Sequence, residues 1–225
     1  MVDTSAREIQ PGLWHWRAPH PEWTPSEPWD RYVSSYAVDD GERLLLIDPL
    51  GVPSALVALA ARRETAIVLT CPWHERDAER LVEELGVPVY TPLPDTAEDL
   101  VTKFGVTLEQ AGDGSPDLNW LLREHRGEAR PFRPGDRLPF GITVFEGLWP
   151  NDTVLWIESQ RAVVSGDTLV DFGRGLEVHL WDLREPEARE EIVASLRPLL
   201  DLPVAHVLLT HGAPMDRAAL ERALS

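Results

Sequence analysis

Val163-Val164-Ser165-Gly166-Asp167-Thr168 and Val207-Leu208-Leu209-Thr210-His211-Gly212 decide how this chain is read. Each is a short apolar run that ends on a side chain able to ligate a metal, Asp167 in one and His211 in the other. Runs of this length, with branched residues and a Gly close by, read as strands. A third run, Ala66 to Thr70, empties into Cys71-Pro72-Trp73-His74-Glu75-Arg76-Asp77, where four polar residues follow one another.

Tyr32 to Val38 and Arg43 to Asp48 read as two strands joined by the turn Asp39-Asp40-Gly41-Glu42. Ser54 to Arg63, Arg76 to Leu85 and Thr96 to Phe104 have helical apolar spacing, with Gly86 and Gly105 placed to end the last two. Val87 to Tyr90 is a strand between them, so strands alternate with helices through the first half. Residues 111–134 are rich in Gly, Pro and charge, with a short helix expected at Leu118 to Leu122, and mark the boundary between two halves of one domain spanning 1–225. The second half offers strands at Ile142 to Phe145, Thr153 to Ile157, Ala162 to Ser165 and Ala205 to Thr210. Helices follow at Pro186 to Leu200 and from Asp216. Periodicity alone supports a mixed α/β domain.

The three strand ends, in this order, resemble the metallo-β-lactamase superfamily, whose hydrolases hold two metals with a T-H-x-H-x-D-H loop, a later His, a bridging Asp and a final His. The resemblance covers roughly Val33 to Asp216 and implies a four-layered αβ/βα sandwich. Such enzymes need dense His and Asp ligation, because two divalent ions polarise the scissile group and supply a hydroxide. Counted from Thr70, the two early His slots fall on Cys71 and Trp73, the Asp slot on Glu75 and the adjoining His slot on Arg76. The later His slot falls on Leu148, within Gly147-Leu148-Trp149-Pro150. Only Asp167 and His211 keep their identity, and sliding the first motif by one residue to use His74 places Arg76 and Asp77 in the next two slots.

The resemblance therefore implies a degenerate metal site, since Trp and Leu cannot coordinate zinc. No cofactor is favoured; the alternative is one divalent ion (zinc, iron or manganese) on Glu75, Asp167 and His211. In the metal-free reading Arg76 is the substitute cation, paired with Asp167 or Glu75, and Asp48 is a further carboxylate of the cleft. His74, Glu75, Arg76 and Asp77 are also candidates for metal-independent acid/base catalysis. Asp77 is equally suited to a helix N-terminus, and Cys71 to a small buried filler. His179, before Trp181-Asp182, is expected to be an exposed loop histidine, like His125 and His206.

Residues 1–31 are rich in Trp and Pro: Trp14, Trp16, Trp23 and Trp29 accompany His15 and His20. The resemblance puts this segment beside the cleft, where with Trp73 and Trp149 it forms an aromatic wall or else covers the edge of the sandwich. The 225 residues are 43% hydrophobic and carry a formal charge of −17, which disfavours a polyphosphate partner. Nucleic acid is not an expected ligand. A single cysteine excludes an internal disulfide. No run is long enough to span a bilayer, and the expected location is the cytoplasm. The functional expectation is a small-molecule or partner-binding protein with a Trp-lined cleft; the alternatives are a mononuclear hydrolase of an ester, thioester or lactone, or a metal-independent enzyme. Oligomeric state is not legible here.

Overall fold

A computed structural model describes residues 5–180 and 186–225, with Trp181 and Asp182 outside the described residues. Its first sheet has seven strands in sequential order: β1 (Arg7–Gln10), β2 (Leu13–Pro19), β3 (Tyr32–Asp39), β4 (Arg43–Ile47), β5 (Glu64–Val68), β6 (Val89–Pro92) and β7 (Ala129–Phe132). The first four are antiparallel neighbours and the last pairings are parallel, joined through α1 (Ser54–Ala60), α2 (Ala78–Leu85), α3 (Ala97–Phe104), α4 (Leu108–Ala111) and α5 (Asn119–Arg123). The second sheet takes β8 (Arg137–Leu138), β9 (Ile142–Trp149), β10 (Asp152–Ile157) and β11 (Ala162–Ser165). Past the small hairpin of β12 (Leu169–Val170) and β13 (Glu177–Val178), it is completed by β14 (His206–Leu209) and β15 (Met215–Asp216). Helices α6 (Pro186–Leu196) and α7 (Arg217–Ala223) belong to this half.

Alternation along the strands builds the layers. In β4, Leu45 and Ile47 face Leu155, Val164 and Leu208 of the other sheet, while Leu44 and Leu46 face Leu56 of α1 and Leu81 of α2. In β11, Val164 faces inward and Val163 packs toward Val193 and Leu196 of α6 and Leu220 of α7. Helix, sheet, sheet and helix thus make the four-layered αβ/βα sandwich. All three apolar runs are strands buried along their length.

Local chemistry explains the boundaries. Thr96 caps α3 and exchanges bonds with Asp99 in a capping box, and Gly86 closes α2 at φ 63°. Within the Trp-rich start, β1 and β2 form the edge of the first sheet, with Leu13 and Trp16 buried on opposite faces. Its aromatic and proline content masked a strand whose two faces are both covered. The stretch 124–134, expected as loop, contains β7, where Pro131 is tolerated because the strand lies at the sheet's edge. The chain changes sheet after Phe132, at the end of the predicted boundary region.

Gly166 is required by close packing at the junction of the sheets. A Cβ there would lie 2.5 Å from Asp152 Oδ1 and 2.9 Å from Thr70 Oγ1. Gly166→Ala is expected to lower stability by about 1–3 kcal/mol, the cost of overpacking, read from urea unfolding; an unchanged midpoint would contradict this packing.

Candidate functional site

The site gathers the ends of strands from both sheets. Asp48 follows β4, Thr70 and Cys71 follow β5, Asp152 opens β10, Asp167 follows β11 and His211 follows β14. The two sheets are tied here by the backbone: Thr153 N and Oγ1 both donate to Thr70 O, at 2.9 and 2.7 Å, and Ser34 N donates to Thr210 O at 2.9 Å. Asp48, with φ of 44°, turns its carboxylate inward to accept from Thr70 N (2.8 Å), Thr70 Oγ1 (2.6 Å) and Thr210 Oγ1 (3.1 Å).

His74 occupies the centre. It ends the short 3-10 segment Pro72–His74 and is 4% exposed. Its Nδ1 lies 3.2 Å from Asp48 Oδ2 and its Nε2 lies 3.4 Å from Asp167 Oδ1. Burial by itself would lower the pKa of this imidazole, but the carboxylates of Asp167 and Asp48 outweigh it and raise the value to about 9. His74 is therefore an imidazolium at neutral pH. Burial likewise opposes ionisation of Asp48 and Asp167, and the charge of His74 overcomes it in both, holding each below the usual carboxylate range. His211 Nε2 lies 3.2 Å from the same Asp167 oxygen, yet burial lowers its pKa and keeps it neutral. Trp73 supplies the remaining strong contact, donating from Nε1 to Asp167 Oδ2 at 2.7 Å.

The residues after His74 fan away from one another. Glu75 does not reach Asp167 or His211: its Oε2 accepts from Leu118 N (2.8 Å) and Trp120 Nε1 (2.9 Å), anchoring the α5 segment. The expected ligand set Glu75, Asp167 and His211 is therefore not assembled. Arg76, at φ of 44°, does enter the region, but its Nη1 donates to the main-chain oxygens of Ser34 (3.0 Å) and Asp48 (2.8 Å). The expected pairing of Arg76 with the carboxylate of Asp167 or Glu75 is corrected; the cation against Asp167 is His74. Asp77 precedes α2, accepts from Gly51 N at 2.9 Å and pairs with Arg80 at 3.0 Å, outside the site.

Leu148 is buried and, with Trp149 and Trp73, lines a cavity of about 340 Å³ reached by Asp152 and Asp167. Of the N-terminal aromatics, Trp16 is core, with Nε1 donating to Leu50 O at 2.8 Å, and Trp14 packs against the same layer. Trp29 meets the site, its ring centroid 4.7 Å from that of His211. His179, His125 and His206 are half-buried rather than exposed: they contact Phe172, Trp120 and Gln10 respectively.

Asp152 was not foreseen. It is fully buried and accepts from Asp167 N (3.0 Å) and Thr168 Oγ1 (2.7 Å), and burial together with the charge of Asp167 raises its pKa. An Asp at the first position of the apolar strand that follows Pro150-Asn151 was the available signal. Cys71, foreseen only as filler, is buried, and burial with three nearby carboxylates pushes its thiol well up. Cys71, His74 and Asp167 nevertheless offer ligand atoms within 4.8 Å of one another, a group able to hold one metal ion.

Solved structures supply the comparison. TMB-1 aligns over 100% of this chain and 96% of its own, at 17% identity and TM-score 0.63. The metallo-β-lactamase DIM-1, exposed to ceftazidime, aligns over 99% and 95% at 14% identity and TM-score 0.65. The chain is a metallo-β-lactamase-fold protein. TTHA1623 in a di-iron-bound form shares 29% identity over 92% of this chain and 98% of its own, with TM-score 0.55. No protein-family model and no curated protein matches the chain. The metallo-β-lactamase fold accounts for the convergence of Asp48, Asp167 and His211 on one edge of the sandwich.

The charge of His74 makes stability depend on pH. Its folded-state pKa of about 9 exceeds the ordinary 6.5, so its contribution is complete below about pH 6.5 and is lost as pH rises through 9. At about 1.4 kcal/mol per unit, wild-type stability should fall by roughly 3 kcal/mol over that window, and His74→Gln should flatten the slope. Urea unfolding across pH 6–10 checks this; parallel slopes in the two proteins would contradict it.

Proposed function

We propose that this protein uses the metallo-β-lactamase fold without a two-metal centre, and that it binds a small molecule in the Trp-lined cavity beside Asp167. The observation that carries the reading is His74 between Asp48 and Asp167, at 3.2 and 3.4 Å. The cation that these carboxylates require is supplied by the chain, and the other Asp167 oxygen already accepts the Trp73 indole N–H.

The donor set does not fit a dinuclear centre. Counted from Thr70, the slots that the family fills with His and Asp hold Cys71, Trp73, Glu75, Arg76 and Leu148. Trp73 presents an N–H donor, Leu148 presents hydrocarbon, and Glu75 is engaged with Leu118 and Trp120. No step is therefore assigned to a metal-bound hydroxide. TTHA1623 is described in a di-iron-bound form, and this chain shares its fold.

A second reading rests on the grouping of Cys71, His74 and Asp167 within 4.8 Å. One zinc, iron or manganese ion held there would act as a Lewis acid in hydrolysis of an ester, thioester or lactone. It would require the Cys71 thiol and the His74 imidazolium to give up their protons.

Elemental analysis of untagged protein, before and after dialysis against zinc or manganese, separates the readings. The proposed reading gives less than about one-tenth of an ion per chain and no hydrolysis sensitive to chelator. About one tightly held ion per chain, lost in Cys71→Ser, would overturn it in favour of the second.

A further inference from the structure

The cavity of about 340 Å³ combines two features that together select a ligand class. Its walls include the rings of Trp73, Phe104 and Trp149, and its polar lining comprises the carboxyls of Asp95, Asp117, Asp152 and Asp167 and the Ser115 hydroxyl. Among the described residues no Lys, Arg or His side chain lines it. An aromatic face is electron-rich and attracts a cation within about 6 Å of the ring centre, most strongly at Trp. A carboxylate beside such a face adds the opposite charge.

The chain contains an internal example. Lys103, its single lysine, holds its ammonium 5.0 Å from the Trp149 ring centroid while donating to Asn151 Oδ1 at 2.7 Å and pairing with Asp95 Oδ1 at 2.5 Å. That pairing neutralises Asp95, as His74 neutralises Asp167. Of the other two carboxyls, Asp152 feels the charge of His74, and Asp117 makes no ion pair among the described residues. Asp117 accepts from the Ser115 hydroxyl, and Asp152 accepts from Thr168 Oγ1 and Asp167 N. Trp149 and Phe104 meet edge to face with centroids 6.1 Å apart, and Phe104 is 56% exposed, so an apolar surface stands open at the mouth.

We propose that this cavity binds a small organic cation, an amine or quaternary ammonium on an apolar body, with its charge among the Trp73, Trp149 and Phe104 rings and near Asp117. The proposal rests on the reading of the cleft as a small-molecule site and names the chemistry of its occupant. The overall charge of −17 favours the approach of such a ligand and disfavours an anionic one.

The test is calorimetric titration of the full chain with benzyltrimethylammonium, with benzyl alcohol and benzoate as neutral and anionic probes of the same ring size. The cation should bind saturably and at least about tenfold more tightly than benzyl alcohol, and benzoate should not bind. Asp117→Asn and Phe104→Leu, both at accessible positions, should each weaken the cation roughly three- to tenfold while thermal unfolding confirms an intact fold. Equal affinity for benzyl alcohol, or a cation affinity indifferent to both variants, would overturn the inference. Elemental analysis of the same preparation keeps the two claims apart. A retained ion with cation selectivity intact overturns only the metal-free reading, whereas lost selectivity in ion-free protein overturns only this one.

Discussion

A buried imidazolium between two carboxylates is the contact on which the site edge of this fold depends. Asp48 comes from the first sheet and Asp167 from the second, and His74 lies between them. Removing one member of such a set leaves an uncompensated charge out of water, which costs several kcal/mol. Charge balance therefore couples the two halves at the place where strand ends, and not packed side chains, must meet. Arg76 contributes to the same balance from behind, through the main-chain oxygens of Ser34 and Asp48.

The turn after β5 distributes five consecutive residues in five directions. Trp73 points to Asp167 and the cavity, His74 to the centre, Glu75 to α5, Arg76 to the backbone of β3 and β4, and Asp77 to Gly51. One turn of 3-10 helix followed by a residue at positive φ produces this fan. A sequence motif counted at fixed spacing assumes one regular geometry for such a turn. Here that geometry changes within it, so His74 becomes the central residue although it falls in no ligand slot of the register counted from Thr70.

Tryptophan serves three separate ends. Trp16 and Trp14 complete the layer between the first sheet and its helices, Trp29 covers His211, and Trp73 and Trp149 wall the cavity at Asp167. The cavity's character follows from what surrounds these rings. Its carboxyls come from loops and strand starts of both halves, and the basic side chains nearest to it, Lys103 and His74, are already matched by Asp95 and Asp167.

The sequence carried a mixed α/β domain in the apolar runs at Ala66, Val163 and Val207 and the alternation of strands with helices, because burial on both faces of a strand leaves a continuous apolar signature; the four layers followed only from the resemblance that Asp167 and His211 support. It also carried Trp73 and Leu148, whose side chains cannot coordinate zinc. What it did not contain was the direction of each side chain in the 71–77 turn, the strand hidden in Leu13–Pro19, or the burial of Asp152. Those depend on contacts between residues far apart in the chain, such as Asp48 with Thr210, 162 positions away, whose geometry exists only once the two sheets have closed on each other. The tertiary structure thus decided that His74, and not Arg76, is the cation against Asp167, because a charge is placed by the packing that removes water from around it.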